Sequence, residues 1–231
     1  GESIASFYGW EANGIFQSQS EIDSHAKQSD GTSPGDIRFN DINNDDVIDD
    51  KDRTFIGNPH PDLNMNLTLD FEYKNFDLNL FFRSSFGNEV YDLTRYYSDF
   101  YNLSNYNKSS RITNAWSPSN TASEIPRLSL NDPNNNIRPS SYYVKDASFV
   151  RLQSLQMGYN MPENIIENLS LSRLRLYLNV QNVFVLTNYD GVDPEIGLQN
   201  NSSDSRNLDI GVDRAIYPPS RTFTLGLNVS F

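Results

Sequence analysis

Between Asp41 and Asp52 the chain carries Asp41, Asn43, Asp45, Asp49 and Asp52. These fill positions one, three, five, nine and twelve of a loop of the calcium-binding type. Calcium takes six to eight oxygen ligands, and this spacing wraps them around one centre. Val47 at position seven would add its carbonyl, and Ile48 would anchor the loop in a core. Two positions depart from the pattern. Asp46 stands at position six, where glycine is usual; a left-handed turn there costs a side-chain-bearing residue about 1 kcal/mol. Asp52 stands at position twelve in place of a longer glutamate. The expectation is a structural Ca2+ site, with a solvated acidic turn as its alternative.

A second set of candidates is aromatic. The stretch 87–146 holds Tyr91, Tyr96, Tyr97, Phe100, Tyr101, Tyr106 and Trp116. Rings there could stack on sugars or meet a capping partner. Tyr96, Tyr97, Tyr101 and Trp116 are therefore the candidate substrate or partner contacts. Packing of the loop on itself is the competing reading. Catalysis has less to stand on. The two histidines, His25 and His60, are not placed near a serine and an acid by any pattern. Cysteine is absent, so thiol chemistry, disulfides and Cys-based metal sites are excluded. No glycine-rich phosphate loop precedes a helix. The chain is not expected to be an enzyme.

The elements that must carry these residues are strands. The last stretch alternates without a break: Phe223, Leu225, Leu227, Val229 and Phe231 face one way. Thr222, Thr224, Gly226, Asn228 and Ser230 face the other. Leu63, Met65, Leu67, Leu69, Phe71 and Tyr73 alternate in the same manner, and after Lys74-Asn75 so do Phe76, Leu78, Leu80 and Phe82. Two such runs joined so tightly predict a β-hairpin. Its polar face carries Asp70, Glu72, Asp77 and Arg83. Another pair is predicted near 147–160 and 171–184. Between them Pro162 opens a short helical turn. The phase break before Leu155 predicts a bulge near Gln153 or Ser154. A sixth candidate, at 3–16, alternates poorly.

Composition bounds the class. The chain has 231 residues, a net charge of −12 and 13 % aromatics. It is too apolar and aromatic to be disordered throughout. Its acidity argues against nucleic acid, whose phosphates call for clustered Lys and Arg. No apolar run is long enough for a transmembrane helix, but barrel strands of about ten alternating residues escape that test. Gly1 is not a Met, and no signal segment follows it; the chain is expected to be processed or cut from something longer.

Loop lengths sharpen the fold class. The connections are long (17–62), tight (74–75), long (87–146), short (161–170) and long (185–219). Outer-membrane barrels alternate short periplasmic turns with long outer loops in this way, whereas compact soluble domains seldom carry such long structureless links. The expected fold is all-β, an antiparallel transmembrane β-barrel segment. About six strands cannot close a membrane barrel, whose smallest size is about eight, so further strands must come from elsewhere. The alternative is a secreted, calcium-stabilised β-sandwich that binds glycans.

The acidic segment, followed by Arg53-Thr54-Phe55-Ile56-Gly57-Asn58-Pro59 and Pro61, resembles the C-terminal barrel region of SusC/RagA-type TonB-dependent outer-membrane transporters. Further matching stretches are Ser3-Ile4-Ala5-Ser6-Phe7-Tyr8-Gly9-Trp10, Phe149-Val150-Arg151-Leu152 with Gly158-Tyr159, and Asn179-Val180-Gln181-Asn182-Val183-Phe184. Tyr189-Asp190-Gly191-Val192-Asp193-Pro194-Glu195 and Tyr217-Pro218-Pro219-Ser220-Arg221 complete them. The resemblance covers nearly all of 1–231. It implies a larger barrel of about 22 strands with an N-terminal plug, of which this chain would be the C-terminal part. It also implies a Gram-negative outer membrane, TonB-powered import of oligosaccharides or peptides, and a SusD-like surface lipoprotein as partner. TonB would act through an N-terminal region not present here. The strand from Phe223 to Phe231 would serve as the barrel-insertion signal.

Overall fold

The computed structural model describes residues 1–101, 107–168, 171–197 and 209–231. Tyr106 lies outside them. The first strands in chain order are β1 (Phe7–Trp10), β2 (Ala12–Ile15), β3 (Ile37–Phe39), β4 (Arg53–Gly57), β5 (Leu63–Tyr73) and β6 (Phe76–Phe86). They are followed by β7 (Glu89–Asp92), β8 (Val144–Asp146), β9 (Phe149–Asn160), β10 (Arg173–Thr187), β11 (Val212–Asp213) and β12 (Thr222–Ser230). Two compact units result. A sheet unit comprises Pro61–Asn88, Asp146–Pro194 and Tyr217–Phe231. A loop unit comprises Gly1–His60, Glu89–Lys145 and Glu195–Ile216.

The sheet unit is one antiparallel sheet of five strands in the order β12-β10-β9-β6-β5. The hairpin of β5 and β6 turns at Lys74, which takes the left-handed conformation at φ 56°. The link from β9 to β10 carries a short helix, Glu163–Asn168, directly after Pro162. The bulge falls at Gln153: Ser154 pairs with Phe81 and Leu152 with Phe82, which leaves Gln153 without an opposite residue on β6. On the other side, Gln153 Nε2 donates to Asn182 Oδ1 at 3.0 Å, and Asn182 is itself left-handed at φ 52°.

Register converts alternation into faces. Leu69, Leu80, Leu155, Val180 and Phe223 form one cross-strand row; Phe71, Leu78, Met157, Leu178 and Leu225 form the next but one. Between these two rows runs a polar one: Asp70, Asn79, Gln156, Asn179 and Thr224. Since successive side chains point to opposite sides of a strand, the apolar rows share one face and the polar rows the other. Among the described residues nothing covers Leu225, 81 % exposed, Phe223, 67 %, or Phe71, 53 %, on the apolar face. A sandwich would cover these residues, so the sandwich alternative fails here.

The stretch 3–16 does not add a sixth strand to this sheet. It breaks at Glu11 into β1, which pairs with β4, and β2, which pairs with β3. Gly14, at φ 85°, marks the irregularity in β2.

The long connections are not structureless either. They fold into the loop unit around a core of Ile37, Phe39, Ile48, Phe100 and Tyr143, with Trp10, Tyr91 and Tyr142 packed against it. A buried polar network ties their distant segments together. Asp36 accepts from Arg127 Nε at 2.8 Å, Arg127 Nη2 at 3.1 Å and Asn136 Nδ2 at 2.9 Å. Asn136 in turn accepts from the Ile37 amide at 2.7 Å and from Asn134 Nδ2 at 2.9 Å. Arg138 lies between the rings of Phe39 and Trp10, at 4.5 and 5.2 Å. Such fully partnered networks hold chain segments that share no regular secondary structure.

Candidate functional surfaces

The polar face of the sheet bears a cavity of about 510 Å³ near the end where the short turns lie. Charged side chains on β5, β6 and β10 shape it, with Gln156 and Asn160 of β9 between them. Arg175 forms a two-pronged ion pair with Asp77, its Nε reaching Oδ2 at 3.0 Å. Asn160 also donates to Asp77, at 3.4 Å, and Asn79 donates to Asp70 at 2.6 Å. Glycine makes room for the large side chains. A Cβ on Gly158 would overlap Arg175 and Asp77, and one on Gly226 would overlap the ring of Tyr177, its direct cross-strand partner. The result is a wettable wall of matched charges, suited to water or polar cargo and unsuited to a dry core.

On the opposite face, Phe223, Leu225, Leu227 and Val229 alternate along β12 as the sequence requires, and Phe231 follows at 94 % exposure. This strand is one edge of the sheet; β5 is the other.

The acidic loop closes on itself. Asp41 accepts from the amides of Asp45 at 3.3 Å and Asp46 at 2.8 Å. Asp52 is fully buried and accepts from the amides of Ile42 at 2.9 Å and Asp49 at 2.7 Å. Asp45 accepts from the Val47 amide and from Asn43 Nδ2. Asn43's amide hydrogen bond, ahead of the Val47 amide and nearby Lys51, holds the Asp45 carboxyl below the usual carboxylate range. Asp46 is left-handed at φ 63°, and Ile48 is buried in the loop unit's core, as the pattern expects. Among the described residues no three His, Cys, Asp or Glu side chains converge on a metal position. Both oxygens of Asp52 are engaged by loop amides, so the residue expected at position twelve acts as a hydrogen-bonding centre.

The aromatic candidates divide. Trp116 is buried, its Nε1 donating to Gln17 Oε1 at 2.9 Å. Tyr96 packs against the core beside Tyr143. Tyr97 and Tyr101 are exposed, at 40 % and 48 %. Burial pushes the phenols of Tyr91, Tyr142 and Tyr143 well above the ordinary tyrosine range, which marks them as packing groups. Both histidines serve loops: His60 Nε2 bonds to the Ile4 carbonyl at 2.9 Å, and His25 packs edge-on to Phe16.

No protein-family model matches the chain. Individual proteins do. TonB-dependent receptor P3 of Formosa agariphila is 40 % identical over the whole chain, which covers 22 % of that receptor. Over its whole length the chain is similar to one segment of the TonB-dependent receptors. TonB-dependent receptor SusC of Bacteroides thetaiotaomicron is 31 % identical over 96 % of the chain and 20 % of its own length. The RagAB peptide importer, solved in an "open-open" state, has the same fold. Its TM-score is 0.73 at 22 % identity, over 98 % of this chain and 22 % of that one. The chain thus spans about a fifth of the length of the receptors it matches.

In this chain the recognisable stretches turn out to be structural pins. Arg151 grips Asp193 with one nitrogen at 2.7 and 2.8 Å from the two carboxylate oxygens, both residues being buried. It fastens the connection after β10 to β9. Asn58 Oδ1 accepts from Ser3 and from the His60 amide, which joins the first residues to the segment after β4. The Arg151–Asp193 pairing escapes a sequence reading because 42 residues separate the partners.

Proposed function

We propose that this chain is the C-terminal part of a larger outer-membrane barrel that imports oligosaccharides or peptides, powered through TonB. The observation that carries this reading is the uncovered apolar face of the five-stranded sheet, backed by a charged, wettable face. Lipid suits the first and a water-filled lumen the second. Whole-length similarity to TonB-dependent receptors supports the same assignment. The open edges of β5 and β12 need further strands, because unpaired backbone groups are not tolerated in lipid. The remaining length of a receptor of the relatives' size is the natural source of those strands and of a plug.

A SusD-like lipoprotein is the expected outer partner, a proposal that rests on the likeness to SusC and RagAB. Of the candidate rings Tyr96, Tyr97, Tyr101 and Trp116, Tyr97 and Tyr101 are the exposed ones and are assigned to such a partner or to cargo. The strand ending at Phe231 is the proposed insertion signal. The acidic loop is proposed to brace the loop unit, with Asp52 supplying by hydrogen bonds the closure that a calcium ion would otherwise supply.

Fractionation of cells making the full-length protein tests this reading. Outer-membrane recovery, with a gel mobility that changes on heating, is the expected result. A soluble protein with no such change would overturn it.

A further inference from the structure

We infer that Asn13 is a site of spontaneous modification, at which the asparagine converts to aspartate and isoaspartate by way of a cyclic imide. Asn13-Gly14 is the one Asn-Gly step in the sequence, and both residues are exposed. β2 meets β3 through Ala12 opposite Phe39 and Ile15 opposite Ile37, so Asn13 and Gly14 together face Arg38. Gly14 is left-handed at φ 85°, and among the described residues a Cβ placed on it would meet nothing within 4 Å. With no side chain of its own and open space where one would stand, Gly14 puts no bulk between its nitrogen and Asn13 Cγ.

The reaction uses the Gly14 amide as its nucleophile. The amide proton goes to hydroxide, and the negative charge spreads onto the Asn13 main-chain oxygen. Arg38 Nε donates to that oxygen at 2.9 Å. A guanidinium therefore stands where the charge develops, and a charge-assisted hydrogen bond there lowers the barrier to losing the proton. Asn13 Nδ2 donates to Asn40 Oδ1 at 3.0 Å, which restrains the carboxamide. The bond from Gly14 N to Asn13 Cγ forms, the Cγ–Nδ2 bond breaks, and ammonia leaves with a proton taken from water. Water then opens the imide. Its addition at Cγ gives aspartate; its addition at the main-chain carbonyl gives isoaspartate, with the backbone now running through Cγ. Both products lose the donor to Asn40 and place a carboxylate on the strand that faces Arg38. Isoaspartate also lengthens the backbone of β2 by a methylene, beside a strand that carries the core residues Ile37 and Phe39.

This chemistry does not depend on the import reading, which can fail or stand without it. Purified full-length protein would be held at mildly alkaline pH, folded in detergent and, separately, heat-denatured in urea. Peptide mapping by mass spectrometry would follow the conversion of Asn13 in both. Conversion in the folded protein is expected to match or exceed that in urea, where the contact with Arg38 is gone. Arg38→Gln should slow the folded reaction about tenfold, in line with the loss of one charged hydrogen bond from the transition state. The same variant should leave the rate in urea unchanged. A folded rate far below the rate in urea would overturn the inference on the wild type alone, whatever Arg38→Gln does to folding. An unchanged folded rate in Arg38→Gln would overturn it as well.

Discussion

Leu225, Phe223 and Phe71 stand open on the sheet unit, while Asp36, Asn134 and Asn136 are sealed inside the loop unit. Water alone would favour the reverse arrangement in both places. The contrast teaches what each unit is built against. On the proposed reading, a sheet that shows its leucines uses lipid as the missing layer, and its ladder of backbone hydrogen bonds needs no core to hold register. A body made from three separate loops has little regular ladder. It is held by side chains that each satisfy several partners, and these must be buried to be specific. The same chain thus puts apolar groups outside and polar groups inside, each for a stated reason.

Substitutions that exchange the two logics should break the contrast. The largest effect is expected from Asp36→Ala, which strips Arg127, Asn136 and the Ser33 amide of their shared acceptor. The loop unit should lose about 3–5 kcal/mol, read as faster proteolysis between 1 and 60 and between 89 and 145, with the sheet unit still protected. Next comes Leu178→Arg on the apolar face, with a cost of about 2–4 kcal/mol at the depth of a bilayer's middle. The matched change on the polar face, Asn179→Arg, should be tolerated. Outer-membrane yield compares the two, and equal loss in both would remove the distinction between the faces. Gly226→Ala should cost about 1–3 kcal/mol through its overlap with Tyr177, and Gly226→Ala combined with Tyr177→Ala should recover part of it.

The smallest effect concerns the acidic loop. With Asp52 already engaged by backbone amides, addition of calcium or of a chelator should leave the loop unit's melting temperature unchanged; a clear rise with calcium would favour the metal site instead. The pH response of this loop has a definite sign. Asp45's folded pKa lies below its ordinary value of 3.8. The stability it lends is therefore complete above that value and is lost as the pH falls through the lower, folded one.

The sheet was legible because period-two alternation is a local signal. The Lys74 turn, the Gln153 bulge and the face of Phe223 to Val229 all follow from neighbours within a few residues. The loop unit was not, because its partners are remote. Asp36 meets Asn136 across 100 positions, and Gln17 meets Trp116 across 99. Nothing in the local pattern of 132–138 distinguishes a buried polar knot from an asparagine-rich surface turn. The acidic loop shows the intermediate case. Spacing anticipated the left-handed turn at Asp46 and the buried Ile48, but it could not say whether the carboxylates turn toward a cation or toward their own backbone amides.

The central claim is that one face of the sheet meets lipid and the other water. The chain holds no cysteine, so spin labels can be placed singly within it at positions 178, 179, 224 and 225. Collision of each label with oxygen, which partitions into lipid, and with a water-soluble nickel chelate would be measured in reconstituted full-length protein. The account predicts alternation: positions 178 and 225 open to oxygen, positions 179 and 224 open to nickel. Four labels equally open to nickel, or no alternation along β10 and β12, would contradict it.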